Sequence, residues 1–136
     1  MADALLVKEV MTRDVRVAGP DYSVREVVAA MNRFNIGSII VVQDDVPVGV
    51  ISERDVLRRV VEPCLSPETV SARQVMTSPV ITVCESASVA DVVKIMVEKR
   101  VRKIPVMEKG ELVGIITYTD ILSRILSMIS ILGELV

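Results

Sequence analysis

The chain has 136 residues, 51% of them hydrophobic, and its 16 basic and 18 acidic side chains leave a net charge of about −2. Charges of both signs are interspersed, so no basic field exists to hold a polyanion and nucleic acid is not expected as a main partner. With no His, and with Cys64 and Cys84 outside any CxxC spacing, neither imidazole-based catalysis nor a zinc set is available, so no catalytic and no metal site is expected.

The length suits one compact body. Trp is absent, and Tyr22, Phe34 and Tyr118 are the only aromatics, so the core must come from Val, Ile, Leu and Met. The apolar runs at 36–42 and 125–132 are too short or too interrupted to span a bilayer, and no membrane span is expected. Residues 1–11 lack the basic start and long apolar stretch of a signal peptide. A cytoplasmic protein with reduced thiols is the expectation.

In chain order, an extended piece is expected near Val15, followed by Ser23 as N-cap of a helix, with Glu26 at the reciprocal capping position. Val24, Val27, Val28 and Met31 lay one apolar stripe along that helix. The runs 39–42 and 46–51 flank Asp44-Asp45 and read as a hairpin whose turn is solvated. A second helix is expected from near Asp55 through Val56, Leu57 and Val60. Residues 62–71, with Pro63 and Pro67, form a connector.

The whole order then repeats. Laying 10–61 over 75–126 at an offset of 65 needs no gap and makes 17 of 52 positions identical. An extended piece is expected near Val80, a helix after Ser88 with Asp91 as its acid, a hairpin around Lys109-Gly110, and a last helix beginning near Asp120. Met11, Met31, Met76 and Met96 occupy equivalent places and read as core gap-fillers. Ile125, Leu126, Ile129, Leu132 and Val136 line one side of the last helix, and Met128, Ile131 and Leu135 widen the stripe. That is more apolar surface than one core contact needs, so a partner, such as a second copy, is expected.

Each unit is therefore strand, helix, strand, strand, helix. The fold class is α/β (α+β): two βαββα repeats, 1–66 with an N-terminal lead-in and 67–136 with a C-terminal helix, packed sheet to sheet about a pseudo-twofold axis. In Gly49-Val50-Ile51-Ser52-Glu53-Arg54-Asp55 and Gly114-Ile115-Ile116-Thr117-Tyr118-Thr119-Asp120, the glycine permits a close approach that a side chain would block. The Asp lies at the start of a helix, where an acid suits the dipole and a carboxylate can accept bonds from vicinal hydroxyls. Plain capping by Ser52, Thr117, Asp55 and Asp120 is the alternative. Arg54 equally fits a solvated surface charge.

The repeated Met-Thr, the hairpins, Arg102-Lys103-Ile104-Pro105-Val106 and the doubled Gly-x-x-Ser/Thr-x-x-Asp resemble tandem cystathionine β-synthase (CBS) domains, or Bateman modules, over residues 8–126. The resemblance implies a regulatory protein that is not an enzyme, binds an adenosine nucleotide (AMP foremost, or ADP, ATP or S-adenosylmethionine) and modulates an unknown partner protein. It implies that the Asp clamps ribose and that the Ser or Thr three residues earlier contacts ribose or phosphate. It also implies two clefts that mix the repeats. One would combine Thr12, Val15, Ile36 and Gly37 with Arg102, Thr117, Thr119 and Asp120; the other would combine Thr77, Val80, Val101 and Arg102 with Gly37, Ser52, Arg54 and Asp55. Because Arg102-Lys103 stands where the first repeat has Gly37-Ser38, and Pro105 where it has Ile40, phosphate should be held mainly by Arg102, Lys103 or Arg54, in one cleft better than the other. Family modules commonly pair, so a homodimer sealed by the helices after each hairpin is expected. A dimerisation scaffold with empty or partly competent clefts is the alternative.

Overall fold

The computed structural model describes residues 4–135. Val136, and the side chains of Leu132 and Leu135 in the C-terminal stripe, lie outside the described residues. Two compact units are present: Arg16–Val80, and the lead segment through Val15 together with the chain from Ile81 onward. Each unit thus joins the lead segment of one repeat to the body of the other. The boundary at 66/67 marks sequence register, and the packing divides the chain elsewhere.

In the Arg16–Val80 unit, β1 (Val17–Ala18) pairs in parallel with β2 (Ser38–Gln43), which pairs antiparallel with β3 (Val46–Ser52). The hairpin closes through Asp44 and Asp45 at φ 51° and 64°, a two-residue turn with both positions left-handed that matches the twist of the strands. Ile39, Ile40 and Val41 are each at most 1% exposed. Successive strand side chains point to opposite faces, so both faces of β2 are covered. Helix α2 (Val24–Phe34) begins where the Ser23 hydroxyl accepts the Glu26 N–H at 3.1 Å, which is the serine half of the expected capping box. It buries Val24, Val27 and Met31 against Ile39, Val41 and Ile51, with Val28 packed at the margin.

Helix α3 (Glu53–Val56) follows β3 directly and widens into a π-helical turn, Leu57–Val61, closed by the Glu62 N–H on the Leu57 carbonyl at 2.9 Å. The connector is irregular but anchored: Val70 and Pro67 carbonyls accept the N–H groups of Val24 and Arg25 at 2.9 and 3.0 Å, at the first turn of α2. A one-turn helix, α4 (Ala72–Val75), then packs into the same core.

The other unit repeats this plan. Its elements are α1 (Val7–Val10), β4 (Val83–Cys84), α5 (Val89–Lys99), β5 (Lys103–Glu108), β6 (Glu111–Thr117) and the long α6 (Tyr118–Leu135), with sheet order β4-β5-β6. Its core gathers Val7, Val89, Val92, Met96, Ile104, Val106, Ile116 and Ile121.

Local details differ from the sequence expectation. The first strand of each unit lies a few residues beyond Val15 and Val80, and the helices after the hairpins start at Glu53 and Tyr118, two residues before the aspartates. One-turn helices α1 and α4 are too short to leave a periodic signal. Met31 and Met96 are core residues, whereas Met11 and Met76 are only half-buried. Among the described residues, no helix is long and apolar enough to cross a membrane. Cys64 and Cys84 are free, exposed thiols.

Candidate functional site

The lead segments position the first site residues. Thr77 bridges to Val50 of β3 through N–H···O bonds of 2.8 and 3.0 Å, and Thr12 bridges to Ile115 of β6 at 2.8 and 2.9 Å. Each threonine thereby extends the outer edge of its sheet, and its hydroxyl reaches the aspartate at the head of the next helix. Thr77 Oγ1 donates to Asp55 Oδ1 at 3.0 Å, and Thr12 Oγ1 donates to Asp120 Oδ1 at 3.2 Å. These two pairs join residues more than twenty positions apart, and the sequence resemblance had grouped each of them.

The preceding methionines explain the motif glycines. A Cβ on Gly49 would overlap the side chain of Met76, and one on Gly114 would lie 2.8 Å from Met11 Sδ and 3.0 Å from the Thr12 carbonyl oxygen. The close approach anticipated for these glycines is therefore made by the lead segment of the same unit. It fixes the depth at which Thr12 and Thr77 sit.

Ser52 and Thr117 cap the helices that carry the aspartates. The Asp55 N–H donates to Ser52 Oγ at 3.2 Å, and the Ser52 N–H returns to Asp55 Oδ2 at 2.9 Å; Thr117 and Asp120 exchange the same pair at 3.1 and 3.0 Å. These are reciprocal capping boxes built with Asp at the third helical position. The structural role weighed for these four residues is present.

Gly37 and Arg102 are equivalent anchors at the strand entries. Their carbonyls accept the N–H groups of Glu53 and Tyr118, both at 3.0 Å. The chain reaches them through left-handed residues Asn35 (φ 52°) and Arg100 (φ 55°), after which the Ile36 and Val101 N–H groups bond back to the Met31 and Met96 carbonyls at 3.0 and 3.2 Å. The Arg102 guanidinium lies 5.3 Å from the Tyr118 ring centre and is exposed, as are Arg54 and Thr119. Ser38, Val15, Val80, Val101 and Lys103 are half-buried. Burial pushes the Lys103 ammonium below its ordinary pKa, while the negative charge of Asp120 opposes that shift.

Thr12, Val15, Val101, Arg102, Lys103, Thr117, Thr119 and Asp120 fall in one compact unit, and Ile36, Gly37, Ser38, Ser52, Arg54, Asp55, Thr77 and Val80 in the other. An open apolar groove in the Arg16–Val80 unit, lined by Val28, Met31, Asn32, Glu53, Val56 and Leu57, contains none of these residues. Sequence reasoning missed Arg59. Its Nη1 donates to the Val75 and Met76 carbonyls at 2.6 and 2.9 Å and stands 3.8 Å from Asp55 Oδ1. Its four-residue spacing from Asp55 was the available signal. Among the described residues, no group of His, Cys, Asp and Glu is arranged to hold a metal.

Known proteins resemble the chain in sequence and in fold. An uncharacterised protein of Methanopyrus kandleri is 42% identical over 118 residues, 85% of this chain and 60% of that protein. Inosine-5'-monophosphate dehydrogenase of Methanocaldococcus jannaschii is 32% identical over 118 residues, but the match spans 85% of this chain and only 23% of the enzyme. A crystallised CBS-domain protein superposes with a TM-score of 0.84 at 27% identity, covering 90% of this chain and 98% of that one. The chain thus spans about three fifths or less of these two sequence relatives. The CBS domain profile matches residues 7–62 and again 72–127. With two such matches along one chain, and two three-stranded α+β units to correspond, the protein belongs to the CBS domain family as a tandem pair, a module that is often regulatory and ligand-binding.

Proposed function

We propose that this CBS pair is a regulatory sensor of an adenosine nucleotide, with AMP the foremost ligand, and that it has no catalytic activity of its own. The observation that carries the reading is the doubled Thr-Asp pair: Thr12 with Asp120, and Thr77 with Asp55, each at the head of a helix after a hairpin. A carboxylate held by a capping box and turned toward a hydroxyl has the chemistry to accept bonds from a ribose. Exposed Arg102 and half-buried Lys103 supply positive charge for a phosphate in the unit that carries Asp120, and an anion there would also favour the Lys103 ammonium against its burial. Regulation of a partner protein follows if the ligand favours one of two states of the pair, because a ligand shifts an equilibrium only by its differential affinity.

Calorimetric titration of the full chain with AMP, ADP, ATP and S-adenosylmethionine tests the reading, together with mass spectrometry of any ligand that co-purifies. Saturable binding weakened by Arg102→Ala and Asp120→Ala supports it. Silence across the four compounds, with wild type and Asp120→Ala alike, refutes it in favour of a scaffold.

A second element of the proposal is self-association. On α6, Leu122, Ile125, Leu126, Met128, Ile129 and Ile131 are 43–64% exposed, and the π-helical turn at the equivalent place shows Leu57 and Val61 at 60% and 58%. Apolar surface on that scale favours burial against a second copy, giving a homodimer in a cytoplasmic setting.

A further inference from the structure

We propose, resting on the reading that these carboxylates face a ribose, that the two are unequal: Asp120 is the acceptor open to ligand, while Arg59 and the Ser52 hydroxyl keep Asp55 occupied. An ionised carboxylate offers about four lone-pair positions. On Asp55, Oδ2 accepts both the N–H and the hydroxyl of Ser52, at 2.9 and 3.1 Å. Its Oδ1 accepts the Thr77 hydroxyl at 3.0 Å and has Arg59 Nη1 at 3.8 Å. Three donors and a cation surround a side chain that is 15% exposed. On Asp120, Oδ2 accepts the Thr117 N–H at 3.0 Å and Oδ1 accepts the Thr12 hydroxyl at 3.2 Å, and Lys103 is the cation whose ammonium its charge favours. Among the described residues Asp55 carries three donors and Asp120 two, which leaves Asp120 the two acceptor positions that neighbouring ribose hydroxyls need and Asp55 one.

The difference arises from the backbone, because Arg59 and Arg124 are the same residue at the same place in the two repeats. Arg59 lies in the π-helical turn Leu57–Val61, whose wider winding changes the direction of a side chain relative to the α-helical turn before it. There its Nη1 is held by the Val75 and Met76 carbonyls, which keeps the guanidinium beside Asp55. Arg124 lies within the continuous helix α6, and its Nη1 donates instead to the Glu9 carbonyl at 3.3 Å. Displacing Arg59 from Asp55 therefore means disturbing two further bonds to the end of α4. Arg59 is in this sense a positioning residue that sets which half of the pair answers first.

The test is AMP titration by calorimetry on the full chain, with circular dichroism to confirm folding of each variant. Wild type should show one tighter site. Asp120→Asn should weaken that site by about tenfold or more, the loss of a charge-assisted bond, and Asp55→Asn by a distinctly smaller factor. Arg59→Met should strengthen the weaker site, and if Arg59→Met does not fold, Arg59→Gln, which also removes the charge, decides. Two identical wild-type sites, equal losses from the two Asn variants, or a weaker site unmoved by removal of the Arg59 charge overturns the inequality while leaving nucleotide binding intact. Absence of heat with AMP, ADP, ATP and S-adenosylmethionine overturns both proposals together.

Discussion

Replacing Gly49 by Ala isolates the contact that seats Thr77. The new Cβ would lie 2.6 Å from Met76 Cγ and 2.8 Å from Met76 Cβ, besides overlapping Sδ. Rotating the methionine moves Sδ and Cγ but not Cβ, and the backbone behind it is held by the Val50–Thr77 bridge. Overpacking of this kind costs about 1–3 kcal/mol. Alanine restricts the unfolded chain and offsets about 0.4–1 kcal/mol of that, which leaves a net loss of about 1–2 kcal/mol. Urea unfolding followed by circular dichroism would register a midpoint lowered by about 0.5–1 M. Met76→Ala in the Gly49→Ala background removes the Cγ and Sδ overlaps and keeps the Cβ one, so the double-mutant cycle should show partial, not complete, relief. Gly49→Ala as stable as wild type, or strictly additive effects in the cycle, would refute the view that the motif glycine exists for the methionine above it.

Other consequences are measurable in the same way. Ile116→Ala empties a fully buried place in the second core and should lower unfolding stability by about 2–5 kcal/mol, a loss that a repacked core would not show. Lys103 has a folded pKa below 10.5 because burial disfavours its ammonium. Between that folded pKa and 10.5 the unfolded chain binds more protons, so stability rises with pH across the window, and below it the burial cost is present in full. Wild type should therefore gain on Lys103→Met as pH rises from neutral to above 10.5, and a pH-independent difference in urea midpoints would contradict this. Leu126→Lys with Ile129→Lys charges the exposed face of α6 and should convert a dimer to monomers in sedimentation velocity at micromolar concentration. A wild-type monomer, or a dimer indifferent to both lysines, would remove α6 from the interface.

Much of the architecture was legible because it was written twice. Val24, Val27 and Met31 recur as Val89, Val92 and Met96, and both sets are buried on the face their spacing defines. Hairpin positions followed from apolar runs around Asp44-Asp45 and Lys109-Gly110, since a two-residue turn has few alternatives. The helix starts were legible through Ser23 and Ser88, whose hydroxyls accept the expected N–H groups. The lead segments were not: α1 and α4 are four residues each, and their partners are remote in sequence.

The candidate site divides along the same line. Asp55 and Asp120 stand out in sequence because a doubled motif puts an acid at each helix start, and local capping geometry then follows from neighbours three residues apart. Which lead segment meets which aspartate is a matter of chain routing, implied beforehand only by the family resemblance, and the folded unit brings the Thr12 hydroxyl to Asp120 across 108 positions. The contrast between Arg102-Lys103 and Gly37-Ser38 could be read by aligning the repeats. The contrast between Arg59 and Arg124 could not, because the two residues are identical in type and register. What separates them is a π-helical turn in one helix and its absence in the other, a choice made by backbone winding and carbonyl partners after the chain has packed. Repetition by itself determined the order of the longer strands and helices and the two acids, and the resemblance of the repeated motifs pointed to the family; tertiary structure decided how many bonds each acid still has to offer.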